Sequence, residues 1–193
     1  MTSINRRTFL AVGAVAPFSY VALVHAPMVA MAQTTPPLTA EQMAYYSLPF
    51  QDARFAGFAR TANDFEIQSA NLALQKSTNE TVRGVATRAT PVFTDANTSL
   101  ERNRNEAGIT AAPDADFKKI ADDAMTQLNS LSGPDFDRAY GTYQLRLLTA
   151  MVAQYGAYSQ DTNNSAPLRR YAQEQFPKMK EALENVTRLT AGK

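Results

Sequence analysis

Cysteine and tryptophan are absent from this 193-residue chain, and histidine occurs once, at His25. Without cysteine no disulfide braces the fold, no thiol serves as a nucleophile and no lipid can be attached through sulfur. Stability must then come from a buried apolar core. A single imidazole leaves little for serine-based nucleophilic catalysis, which needs a base beside the hydroxyl. Glycine-rich phosphate loops and dinucleotide-binding fingerprints are missing too. No basic run exceeds the pairs Lys118-Lys119 and Arg169-Arg170, and the formal charge is only +1, so no nucleic-acid partner is expected. Nor does any stretch alternate apolar and polar residues with β-branched enrichment, which excludes a strand-built fold.

Charge is also missing locally. After Arg6 and Arg7 no charged residue stands until Glu41, and Ala11 to Ala32 is mostly Ala, Val, Leu, Phe, Met and Gly. A basic segment, an apolar run and the small-residue close Ala30-Met31-Ala32 make a signal peptide over residues 1–32, with cleavage expected after Ala32. Arg6, Arg7, Phe9 and Leu10 fit the core of a twin-arginine signal, and the general secretory route is the alternative. An uncleaved anchor is the competing reading, since the apolar run is long enough to span a bilayer. Removing residues 1–32 takes away two arginines, no acid and the only histidine, so the formal charge moves from +1 to −1. The expected mature chain is periplasmic or otherwise exported, has no stable membrane insertion, and carries no imidazole at all.

Residues 33–50 read as a leader, QTTPPL, and a short helix opened by Thr39 and Gln42 and interrupted at Pro49. Residues 51–193 read as one helical bundle domain. A first long helix is expected from about Asp52 to Lys76, with Phe55, Phe58, Ala62, Phe65 and Leu72 on one stripe. Ser77 and Glu80 suggest a capping box for a second helix that continues towards Gly108 and kinks near Pro91. A third follows Pro113 and ends at Gly133, a fourth opens at Pro134, and a fifth after Pro167 bends at Pro177. The spacing of Tyr140, Tyr143, Tyr155 and Tyr158 fits a core stripe of the fourth helix. The fold class is all-α, a four-helix bundle with a short extra N-terminal helix.

Glu66 is the most conspicuous polar residue, because it sits between Phe65 and Ile67, one turn after Ala62, at the edge of the apolar stripe. A carboxyl that turned inward there would have to be paired, hydrogen-bonded or metal-bound. Asp95 and Asp137 stand in comparable places beside Phe93 and Phe136. In the first turn of its helix, Asp137 is also well placed for the helix dipole.

The stretches FARTANDFEIQSANLALQKS, VRGVATRATPVFTDANTSL, LSGPDFDRAY and FPKMKEALENV resemble the exported bacterial ferritin-like family catalogued as domain of unknown function four-one-four-two. The resemblance runs from about Phe55 to Leu189 and implies a ferritin-like four-helix bundle with no established reaction. It also implies that Glu66, Asp95 and Asp137 match the family's carboxylates, while three family histidine positions read Ala96, Leu148 and Ala182 here. Carboxylates alone favour hard cations and hold them weakly unless many oxygens converge. The expectation is therefore a non-enzymatic envelope or periplasmic protein with no cofactor, no catalytic residue and no metal site, open to an envelope protein partner. A carboxylate metal binder is the alternative.

Overall fold

The computed structural model describes residues 50–110 and 112–191, which belong to one compact unit and form five helices with no strand among them. The signal segment and the expected short helix near Thr39 lie outside the described residues.

Helix α1 spans Asp52–Lys76, the bounds its periodicity suggests, and carries Asp52 in its first turn and Lys76 in its last. Each charge opposes the helix dipole at its own end. Helix α2 spans Glu80–Glu106 and is capped by Asn79, whose side chain accepts from the backbone N–H groups of Thr81 and Val82. Ser77, the expected cap, instead terminates α1, its N–H bonding the Ala73 carbonyl at 2.9 Å. Asparagine and serine cap equally well, so the two residues that end α1 decide which is used. Through Pro91, α2 continues as one helix.

Helix α3, Ala115–Ser130, is capped by Asp114, which accepts from Phe117 N–H at 3.0 Å and pairs with Arg54 of α1 at 3.2 Å. Its C-cap is Leu131; Gly133, expected to end it, has φ of 55° and is the first residue of α4, Gly133–Gln160. Only glycine takes that left-handed geometry without strain. Pro134 then stands in the first turn of α4, where its missing N–H costs nothing. Helix α5, Ala166–Ala191, contains Pro177.

Neighbour relations follow from the contacts. Helix α1 packs against α2 and α4, α5 packs against the same two, and α3 lies over α1 with a smaller contact to α4. The two ends of α1 fix the directions of the others. At its start, Asp52 accepts from the Tyr158 hydroxyl near the end of α4 and from Ser165 N–H just before α5. At its end, Lys76 donates to the Leu128 and Leu131 carbonyls at the end of α3. Helices α1, α3 and α5 thus run one way, and α2 and α4 the other.

The core is aromatic. Phe55 stacks on Tyr158 with ring centroids 3.8 Å apart and meets Tyr155 edge-on at 5.1 Å. Tyr140, Tyr155 and Tyr158 are buried and Tyr143 half-buried, so the tyrosines serve as core. Each such ring contributes roughly 1.5–3 kcal/mol through the apolar area it removes from water.

Candidate functional site

Most buried polar side chains of this core take part in a hydrogen bond, although single atoms such as Asn63 Oδ1, Asn103 Oδ1 and Gln175 Oε1 lack one. Asn63 donates to Asn97 at 3.0 Å and to the Tyr171 hydroxyl at 3.2 Å, and the Tyr155 and Tyr171 hydroxyls share a bond at 3.1 Å. Glu66 is different. The inward face of α1 that buries Phe55, Phe58 and Ala62 also carries Glu66, leaving it fully shielded from solvent with neither carboxyl oxygen hydrogen-bonded.

What surrounds it comes from α1 and α4. One turn on, the Ser69 hydroxyl donates to the Glu66 backbone carbonyl at 3.2 Å. From α4, Gln144 donates its amide to the Ser69 hydroxyl at 2.9 Å. Burial pushes the Glu66 carboxyl up to about 8, with the nearby Gln144 amide opposing part of that rise. At neutral pH the group is therefore mainly the uncharged acid. Tyr140, one turn before Gln144, is fully buried with an unbonded hydroxyl; its pKa is raised by burial first and by the nearness of Glu66 second.

Glu66 and Gln144 form the floor of a cleft of about 390 Å³. Its walls are apolar: Val85, Ala89 and Phe93 from α2, Leu148 from α4, and Ala182 and Val186 from α5. Arg88, Lys178 and Glu181, all exposed, stand at its rim. A concave, mainly apolar volume of this size with a few polar groups is the usual form of a small-molecule site.

The structure separates the other sequence candidates. Asp95 is exposed on α2, and Asp137 is half-buried on α4 with one carboxyl oxygen lacking a partner. Neither lines the cleft. Leu148 and Ala182 do, beside Glu66, whereas the fully buried Ala96 does not. Two of the three positions at which the resemblance implies family histidines thus line the cleft with Glu66. Gln144 and Ser69 were not singled out from sequence, although a glutamine at Tyr140 plus four on an apolar stripe is a signal of the same kind as Glu66.

The donor set does not fit a first-row metal. Glu66 is the one carboxyl at the floor, its neighbours there are an amide and aliphatic side chains, and no group of three His, Cys, Asp or Glu among the described residues is arranged to hold an ion.

The family model described as "Domain of unknown function (DUF4142)" matches residues 35–189. The chain belongs to this family. Membership in DUF4142 carries no activity with it, so the chemistry must be read from the cleft itself. No curated protein and no solved structure matches the chain. No described helix is long and apolar enough to cross a membrane.

Proposed function

We propose that this chain is a non-enzymatic, ferritin-like four-helix-bundle protein of the periplasm or cell envelope, and that it works by holding a small molecule in the cleft between α2 and α5. The observation that carries the binding reading is Glu66: a fully buried carboxyl, neither of whose oxygens has a hydrogen-bond partner, on a residue that lines an apolar cleft. Folding rarely leaves such a group without a partner, because an unbonded buried polar group costs about 1–3 kcal/mol. A bound molecule is a natural source of the missing bonds.

The ferritin-like reading is supported by direction. A single long connection, filled by α3, returns the chain so that α2 and α4 run the same way, as in ferritin-like bundles with one crossover. The non-enzymatic reading rests on the lining. The floor of the cleft offers one acid, Glu66, held mainly as the neutral acid, and the second acid on the cleft, Glu181, stands exposed at the rim. Export is supported by Arg6, Arg7 and the Ala30-Met31-Ala32 close, and an N-terminus at Gln33 on protein recovered from the periplasm would establish it.

The binding test is fluorescence of an uncharged, polarity-sensitive naphthalene dye, 6-propionyl-2-dimethylaminonaphthalene, with wild type and with Ala182→Trp, which fills the cleft from α5. Enhancement by wild type that is lost in the variant, with unchanged helicity, supports the cleft as a site. Equal enhancement by both proteins overturns it.

A further inference from the structure

The composition of the cleft narrows what it holds. Its walls are mainly aliphatic and aromatic, with Thr87 and Asn185 as uncharged polar residues beside them, its charged groups stand at the rim, and its buried polar groups are the Glu66 carboxyl and the Gln144 amide. Four ligand classes can be weighed against that arrangement.

A plain hydrocarbon would fill the walls and leave both Glu66 oxygens as they are, without a bond. An anionic group at the floor would face a carboxyl with no cation beside it, and a buried charge without a counter-charge is strongly disfavoured. A cationic group would pass a rim with two cations, Arg88 and Lys178, against one acid, Glu181. It would also need Glu66 ionised, whereas burial favours the protonated form. A hydroxyl meets none of these objections. It has one donor and two acceptor sites, so it can accept from the protonated carboxyl while donating to its carbonyl oxygen.

We propose that the cleft takes a small, uncharged, largely apolar molecule bearing one hydroxyl, of the phenol or short alcohol class, with the hydroxyl against Glu66 and Gln144 and the apolar body between α2 and α5. This rests on the reading of the cleft as a small-molecule site.

The experiment is calorimetric titration of the full chain with 4-methylphenol, toluene and benzylamine, which share a ring and differ in the group presented to the floor. The phenol should bind about tenfold more tightly than toluene, the difference one well-made hydrogen bond supplies. Benzylamine should bind more weakly than the phenol. Glu66→Leu should abolish the preference for phenol over toluene, and Glu66→Gln, which keeps a donor and an acceptor, should retain most of it. Equal affinity for phenol and toluene, or tighter binding of benzylamine, overturns the hydroxyl class while leaving the cleft as a site. Failure of both phenol and toluene to bind overturns the site as well. Should Glu66→Leu not fold, the wild-type ratio of the three ligands decides.

Discussion

Gln144 donates its side-chain amide to the Ser69 hydroxyl at 2.9 Å, joining α4 to α1 immediately beside the Glu66 carboxyl. The amide is thereby held in place, but it does not bring Glu66 into a formed hydrogen bond. The carboxyl stays protonated in the folded chain up to about pH 8, while an unfolded chain loses that proton near the ordinary value of 4.5. Between those two values the folded state binds more protons than the unfolded state, so stability falls as pH rises. The slope from this one group is on the order of 1 kcal/mol per pH unit across that window, and flat outside it. Glu66→Gln should remove the slope and be the more stable protein at alkaline pH. Urea midpoints of the two proteins at acid, neutral and alkaline pH check this. Parallel curves would mean that the side chain meets water.

Much of this architecture is visible in the sequence, and the parts that are not share a cause. The apolar stripe from Phe55 to Leu72 defines α1 to the residue, because Asp52 and Lys76 also mark its ends with favourable charge. The cap of α2 is less legible: Ser77, Thr78 and Asn79 are all capping types, and only the point at which α1 stops selects Asn79. Glu66 stands out as an anomaly on its stripe, yet whether it is buried depends on α4 and α5, which are remote in sequence. Gln144 carries the same local signal on the α4 stripe, and its bond to Ser69 depends on α1, equally remote in sequence. Asp95 resembles Glu66 in its local pattern and is exposed, because none of the described helices covers it.

Two helical glycines should respond oppositely to alanine. A Cβ on Gly57 would lie 2.5 Å from the Ala112 carbonyl oxygen and 3.0 Å from Asp114 N, both backbone atoms of the segment leading into α3. Gly57→Ala should therefore destabilise by about 1–3 kcal/mol, despite alanine's better helix propensity. A Cβ on Gly84 finds only the end of the Arg88 side chain, 3.7 Å away. Gly84→Ala should stabilise by about 0.5–1 kcal/mol. Thermal midpoints moving in the same direction would refute the close approach at Gly57.

Lys76 holds the far end of α3. Its ammonium donates to the carbonyls of Leu128, Asn129 and Leu131 at the end of that helix, where the Leu128 carbonyl also accepts from Leu131 N–H at 3.3 Å, and it lies 5.7 Å from the centre of the Phe136 ring. Lys76→Met keeps the apolar stem and removes every one of the ammonium's bonds. The variant should lose about 1–3 kcal/mol. Hydrogen exchange should quicken in the last turn of α3 and the first of α4, and leave α2 unchanged. Faster exchange spread evenly over all five helices would show that Lys76 is not a local clasp.

Leu148 and Ala182, two of the positions at which the resemblance implies family histidines, permit a direct experiment on metal binding. Leu148 and Ala182 line the cleft with Glu66, from α4 and α5, while Ala96 is fully buried outside it. The double variant Leu148→His, Ala182→His should therefore suffice to build a two-imidazole, one-carboxylate set, the kind of site that zinc occupies with an open fourth position. Placing an imidazole at Leu148 puts ring nitrogens in an apolar wall, so the metal-free double variant should lose about 1–3 kcal/mol. Zinc should return part of that loss by binding only the folded state. Its affinity should rise with pH up to about 8, since Glu66 must release its proton to ligate. Adding Ala96→His should overpack the core by a further 1–3 kcal/mol or so and bring no gain in zinc affinity. Calorimetric titration of wild type, double and triple variants measures all of this. No gain in the double variant would show that the two positions do not converge on Glu66, and a gain that appears only with Ala96→His would place the convergence one turn further along α2.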